Sequence, residues 1–477
     1  MSRFGLVVFA LSLLACGSKP APEPNAEPAP AAVPAPAGAP TQNAPAPTSS
    51  ASGKRIGIGF AANMIGEIEP CGCKANPTGG LARRVTILDA WRLGSPKKAP
   101  ADPAQPAAAP ATPEEQEKAL KMAASQPESQ IGDVTFDGFI VLDAGDTFAD
   151  SPLLEGERLD KAKKTAALIV ERFNAEGVKA QLVGDKDLAL GRATLAELAK
   201  NAKYPFITTN IVDGQTRAPL FSAHAVVEVA GLKIGVLGLV TKAAASAPKL
   251  GAEGLTLVDP SEAAKSAVAE LDKLGVDVVV ALSQLAPAEE AEVAKAAPRI
   301  QLFLGGDQLG YSQGPQPVES AMSLSGGHKG RSVSIAALAF DDPKGAGAPF
   351  FDPQGRRVLE RKIADAKHRV MTYEKLLAEA EQKAEEAAKA QVAGDPPTEP
   401  LRRRSPLESY RTQLAAARAD LTLAEQQLAE TPAEPGKDRN TVALQLVNLG
   451  REIADDELVK ARVDAFRKDV PASGSAH

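Results

Sequence analysis

The chain has 477 residues and a formal net charge of −6, with 24% charged and only 4% aromatic side chains. That length allows two or three domains, although Pro- and Ala-rich stretches take up much of it. The mildly acidic balance gives no reason to propose nucleic acid as a partner, and with Trp91 the single tryptophan, the core must be built mostly from Val, Leu, Ile and Ala.

Residues 1–16 carry a basic start at Ser2-Arg3 and an apolar run from Phe4 to Ala15, followed by small residues. The run is too short to span a bilayer and has the pattern of a signal peptide. Leu13-Leu14-Ala15-Cys16 resembles the bacterial lipobox, which implies a lipid-anchored N-terminus at Cys16; the plainer alternative is a secretory signal with an incidental cysteine. Gly17-Ser18, with no Asp, resembles the pattern sent to the outer membrane of Gram-negative bacteria, so the expected location is the periplasmic face of that membrane. Residues 17–53 are Pro, Ala, Ser and Thr and cannot bury enough surface to order themselves. They read as a tether with a reach of roughly 100 Å when extended.

The folded part is expected over 54–350, opening with an apolar strand at Ile56–Phe60, a polar loop and an amphipathic helix after Gly79-Gly80. A low-complexity insertion at 95–131 interrupts it. Strands are then predicted at Phe139–Leu142, Ala180–Val183, Pro205–Asn210, Val226–Val229, Lys233–Leu239, Val276–Leu282, Ile300–Leu304 and Ser332–Phe340. Helices at Lys161–Ala175, Ser261–Leu274 and Pro287–Ala297 lie among them. Repeated β-α-β order argues for a layered α/β/β/α architecture. Past Asp352 the character changes. Ile363, Val370, Leu377 and Ala384 recur every seven residues, and Leu407, Leu414, Leu421 and Leu428 do so again after a Gly-Asp-Pro-Pro break at 394–397. Two such stripes predict an antiparallel coiled-coil hairpin over 358–430 with Arg402–Arg404 at its tip, the alternative being two separate surface helices. A last strand and helix are expected within 438–470.

Several segments resemble, in order, the periplasmic 5′-nucleotidase and UDP-sugar hydrolase branch of the calcineurin-like metallophosphoesterases. Asn63-Met64-Ile65-Gly66, Ile68-Glu69-Pro70 and Gly79-Gly80-Leu81-Ala82-Arg83 match its opening. Gly145-Asp146-Thr147-Phe148, Gly184-Asp185-Lys186-Asp187, Leu282-Ser283-Gln284-Leu285 and Gly305-Gly306-Asp307-Gln308-Leu309 match the later motifs. The resemblance implies a two-metal phosphoric-ester hydrolase in which metal-activated water attacks in line. It also implies that the ligand positions here are Asn63, Ile65, Asp146, Asp185, Gln284, Asp307 and Leu309, with Lys186 in place of a histidine that assists the leaving group. None of the four histidines, His224, His328, His368 and His477, stands at one of those positions.

The residues leave two readings of the site open. Asn63, Asp146, Asp185, Gln284 and Asp307 form an oxygen-rich set that suits Ca²⁺ or Mg²⁺ better than Zn²⁺. The same residues also read as a hydrogen-bonded polar cluster with a carboxylate paired to Lys186. The expectation is therefore an envelope module of phosphoesterase fold that does not catalyse, with a metal-dependent phosphohydrolase using Asp146, Asp185 and Lys186 as the alternative. Cys71-Gly72-Cys73 could form a strained disulfide, contribute to a soft-metal site or serve as a staple. The PCGC loop resembles a subgroup with members fused to multihaem cytochromes, which implies a redox partner, and the hairpin is the expected place for a protein partner. Gly79-Gly80 with Arg83-Arg84 reads either as an anion-binding turn or as a tight loop whose arginines pair with acids.

Overall fold

The computed structural model describes residues 53–72, 77–93, 134–305, 314–342, 345–391, 406–431 and 440–471. The signal peptide with Cys16, nearly all of the tether, the 95–131 insertion, Cys73, Asp307, the 394–397 break and Arg402–Arg404 lie outside them.

The chain begins with β1 (Lys54–Ala61), a small ribbon of β2 (Pro70–Cys71) and β3 (Thr78–Gly79), and helix α1 (Leu81–Arg92). There follow β4 (Gly138–Asp143), α2 (Gly156–Glu176), β5 (Val178–Leu182), α3 (Arg192–Asn201), β6 (Phe206–Ile207), β7 (Ile211–Asp213), β8 (His224–Val229) and β9 (Leu232–Val240). The order continues with α4 (Pro248–Ala252), β10 (Leu255–Leu257), α5 (Pro260–Lys273), β11 (Val278–Gln284), α6 (Pro287–Ala296) and β12 (Leu302–Gly305). It closes with β13 (Gln316–Val318), β14 (Ala321–Ser325), β15 (Ser332–Phe340), β16 (Phe350–Phe351), α7 (Gly355–Gln391), α8 (Pro406–Glu430), β17 (Asn440–Asn448) and α9 (Glu457–Asp469).

Two sheets carry the fold. One is seven-stranded in the order β16-β17-β15-β1-β4-β5-β6, and the other six-stranded in the order β13-β14-β12-β11-β9-β8. Their centres are parallel, β1-β4-β5 in one and β9-β11-β12 in the other, so the carboxyl ends of several strands share an edge. Alternation along β11 explains how the second sheet buries both faces. Val278, Val280 and Leu282 join the core shared with Ile56, Ile58, Phe60 and Leu142, whereas Val279 and Ala281 pack with Ala264, Val268 and Leu271 of α5. Each such fully buried Val or Leu contributes about 1.5–3 kcal/mol.

Three features differ from expectation. Helix α1 is not amphipathic, because it buries Arg83 and Arg84 along with Leu81, Leu88 and Trp91. Arg83 Nε pairs with Asp455 at 3.3 Å and Arg84 Nε with Glu176 at 3.0 Å, so both faces of the helix are covered. The arginines of the Gly79-Gly80 loop are thus paired with acids. The expected C-terminal strand takes a place that no sequence pattern indicates: β17 lies between β16 and β15, pairing with β15 from Ser332↔Asn448 to Ala339↔Thr441. The long helices are therefore inserted between strands of one sheet. Finally, α3, β13 and β14 arise where no regular element is predicted.

Helices α7 and α8 run antiparallel, bridged by Arg369–Asp420 at 3.0 Å, Arg418–Glu374 at 2.8 Å and Arg411–Glu381 at 2.9 Å. Ile363 and Leu414, which lie on the two seven-residue stripes, are buried, as are Ala366, Ala417 and Ala424.

Candidate functional site at the strand ends

Two strained loops lock together where β1 and β4 end. Asn63, Ile65 and Asp146 have φ of 51°, 49° and 52°. Asn and Asp tolerate the left-handed region, but a β-branched Ile does not, and each such residue costs of order 1–3 kcal/mol. Hydrogen bonds hold them there: Ala144 N donates to Ala61 O at 2.8 Å, Asn63 N to Gly145 O at 2.9 Å and Ile65 N to Asp146 O at 2.8 Å. Gln284, at the end of β11, donates its side-chain amide to Ala144 O at 2.8 Å and to Gly145 O at 3.3 Å. Two sheets thus converge on one four-residue turn.

Asp143, Asp146 and Asp187 are each held by hydrogen bonds, although Asp143 Oδ2 is buried without a partner. Asp143 accepts from Gly145 N at 3.2 Å and from the Thr147 hydroxyl, and burial pushes it up to about 6 against the opposing pull of Arg84. Asp146, fully buried, accepts from Lys186 N at 3.1 Å through one oxygen and from Lys186 Nζ through the other. Burial raises Asp146, Lys186 opposes the rise and the charge of Asp185 adds to it. Asp187 accepts from Phe148 N at 2.7 Å and Gly184 N at 3.0 Å. Burial, then the neighbouring Asp146 charge, pushes Asp187 upward too. Gly184 is required beside them, because a Cβ there would collide with the Asp146 carboxylate.

Asn63, Asp146, Asp185, Lys186 and Gln284 are therefore brought together at one edge, while Asp307 lies beyond the described residues that end at Gly305. Sequence reasoning did not single out Asp143 and Asp187, whose burial depends on how the loops fold. It also set aside His328. That residue sits on the turn from Gly326 to Arg331, where Lys329 N donates to Asn63 O at 2.8 Å. Burial and the charges of Lys329, Lys186 and Arg331 lower its pKa, which disfavours its charged form.

The donors do not fit a two-metal centre. Both oxygens of Asp146 face Lys186, Gln284 turns its nitrogen to backbone carbonyls, and Ile65 has no donor atom. Among the described residues, no three His, Cys, Asp or Glu side chains stand close enough to hold a metal ion.

Below the site, the buried Arg84–Glu176 pair and Tyr204, which donates to Gln181 Oε1 at 3.1 Å, form a second polar layer. Beside it, Cys71 of β2 is half-buried and accepts from Arg331 Nε at 3.4 Å.

No family model matches the chain. It is 26% identical over 162 residues to a 2′,3′-cyclic-nucleotide 2′-phosphodiesterase/3′-nucleotidase of Haemophilus influenzae, covering 32% of this chain and 25% of that one. It is 24% identical over 303 residues to a 5′-nucleotidase of Vibrio vulnificus, covering 60% and 53%. A solved 5′-nucleotidase precursor from Thermus thermophilus superposes with a TM-score of 0.43 at 21% identity, over 61% of this chain and 52% of that one. The chain thus spans between a quarter and about half the length of these relatives. Its homologues are 5′-nucleotidases and 2′,3′-cyclic-nucleotide phosphodiesterases, in keeping with the motif order.

Proposed function

From this kinship with 5′-nucleotidases, we propose that the chain is a lipid-anchored envelope module of metallophosphoesterase fold that no longer performs two-metal hydrolysis and instead binds a protein partner. The observation that carries the reading is the Lys186–Asp146 pair. In a two-metal centre the bridging carboxylate must offer its oxygens to both cations. Here an ammonium on the same chain already neutralises that carboxylate, and a metal would have to displace it and then tolerate a positive neighbour. The helical arm of α7 and α8, whose outer positions are charged and exposed, is the surface to which we assign the partner, and the Cys16 lipobox supports anchoring.

A second reading, a phosphoric-ester hydrolase with an oxygen-rich metal site, draws on the strain at Asn63, Ile65 and Asp146, since such strain gathers at functional sites. One experiment separates the two. The purified protein is assayed on 5′-nucleotides, 2′,3′-cyclic nucleotides and a generic phosphomonoester with Mn²⁺, Mg²⁺, Ca²⁺ or Zn²⁺, beside calorimetric metal titration. The expected outcome is no turnover and no stoichiometric metal uptake. Metal-dependent hydrolysis abolished by Asp146→Ala would establish the second reading instead.

A further inference from the structure

The loop that carries Glu67 and Cys71 forms one wall of a cavity of about 460 Å³, a size typical of small-ligand sites. Basic residues reach it from three separate parts of the chain. Arg158 and Lys161 come from α2, Lys329 and Arg331 from the turn before β15, and Arg467 from α9. The carboxylates lining the same space are Glu67, Glu69 and Asp150, so two cations are in excess. Outside the cavity, Glu157, 82% exposed, meets Lys161 at 2.9 Å and offsets part of that excess. Arg158 pairs with Asp150 at 3.1 Å and Arg467 with Glu69.

Gathering like charges from distant segments around one open cleft is unfavourable unless negative charge balances them. In this structure Glu67 plays part of that role: Lys329, Arg467 and Arg331 all draw on its charge, while burial raises its pKa. A half-buried carboxylate on a loop is an internal counter-ion that an incoming anion can replace. Ile65, Phe148 and Leu154 supply an apolar wall beside the charges, which suits the carbon frame of an organic anion.

We propose that this cavity is a binding site for a small, multiply charged oxyanion, carrying phosphate or carboxylate groups, with Lys161, Lys329 and Arg331 as its main contacts. The inference does not rest on the Lys186–Asp146 pair, since neither residue lines the cavity, although Ile65, which does, donates its N–H to Asp146 O at 2.8 Å. Cys71 offers a built-in reporter. Its sulfur accepts a hydrogen bond from Arg331, so in the reduced protein an anion that engages the guanidinium covers the sulfur and slows its alkylation.

The test uses the full chain, reduced, stripped of metal on a chelating resin and desalted, which keeps metal-borne anion binding out of the measurement without adding a competing carboxylate. Inorganic phosphate, sulfate and citrate are titrated by calorimetry, and alkylation of Cys71 is followed by peptide mass spectrometry, with potassium chloride at matched ionic strength as the control. At least one oxyanion is expected to bind saturably and to slow Cys71 alkylation several-fold beyond the chloride control. Whether phosphate or citrate does so identifies the group recognised. Lys329→Gln and, independently of any folding defect at that turn, Lys161→Gln are each expected to weaken binding by about fivefold or more. Absence of saturable binding in every arm, protection equal to that of chloride, or binding unchanged in both variants overturns the proposal.

Discussion

The strand-end turn and the helical arm are built on opposite principles. At Ala144–Thr147, backbone strain, buried carboxylates and an ammonium are packed into a few residues, and every group is held by several others. Along α7 and α8, arginines and acids cross between helices over many residues, but the side chains of Arg411, Arg418 and Arg369 are 65%, 61% and 47% exposed. Solvent screens each of those contacts, so none is decisive. A buried constraint fails all at once, whereas an exposed one is replaceable.

The sharpest way to break the comparison is at Gly305, where φ is +121° and a Cβ would lie 2.5 Å from Ser283 O and 2.8 Å from Ala144 Cβ. Gly305→Ala is expected to destabilise by roughly 4 kcal/mol or more, since backbone must move at the point where the two sheets meet. Thermal unfolding followed by circular dichroism reads this directly, and a loss under 1 kcal/mol would mean that the junction is slack.

Lys186→Met comes next. It leaves Asp146 buried without its partner and is expected to cost about 3 kcal/mol at neutral pH. Adding Asp146→Asn should recover most of that loss, because the uncompensated charge is then gone. Urea unfolding of the two single variants and the double variant gives the coupling; additive losses would show that the pair is not the organising contact.

How far this contrast could be read beforehand differs between the two regions. The strands Ile56–Phe60, Val278–Leu282 and Ser332–Phe340 are legible as β-branched runs, and the hairpin stripe is legible from its seven-residue spacing. Ala321–Ser325, with a Met and two Ser, has no such pattern and becomes a strand only because β12 is there to pair with it. The place of β17 beside β15 is equally hidden, since its register partners are over a hundred residues away. At the site, motif order identifies Asn63, Asp146, Asp185 and Gln284. It does not reveal that Asp187 faces backbone amides or that Arg84 is buried against Glu176, because residue type alone does not say which way a charged side chain turns.

A gentler test lies where the arm meets the sheets. Asp352 is buried beside the start of α7 and accepts from Gln354 N at 2.9 Å, yet burial pushes its carboxyl up to about 6. The folded state therefore holds its proton more tightly than the unfolded chain, and stability from this group falls as pH rises from about 4 to about 6. Asp352→Asn keeps an acceptor and removes the charge. It is expected to stabilise by about 1–3 kcal/mol at pH 7 and by almost nothing at pH 4. Urea midpoints measured across that range check the sign, and an equal gain at both values would locate the effect elsewhere.

The smallest effect is expected on the arm itself. Arg418 and Glu374 meet at 2.8 Å across the two helices, but both are largely in solvent. Replacing either by Ala should change stability by at most ~0.5 kcal/mol, and less at high salt. Excision makes the stronger statement. The helices enter after Asp352 and leave before Asn440, and β16 and β17 pair side by side at Phe350↔Asn440, so the two ends of the insertion are adjacent in space. A short linker replacing 366–427 can span them without disturbing the sheet. The main unfolding transition should survive with its cooperativity intact, because the buried contacts of β17 with β15 remain. If calorimetry of the excised protein shows no cooperative transition, the arm's seam of Ala366, Leu414, Ala417 and Ala424 belongs to the core, and the division between a constrained centre and a replaceable arm fails.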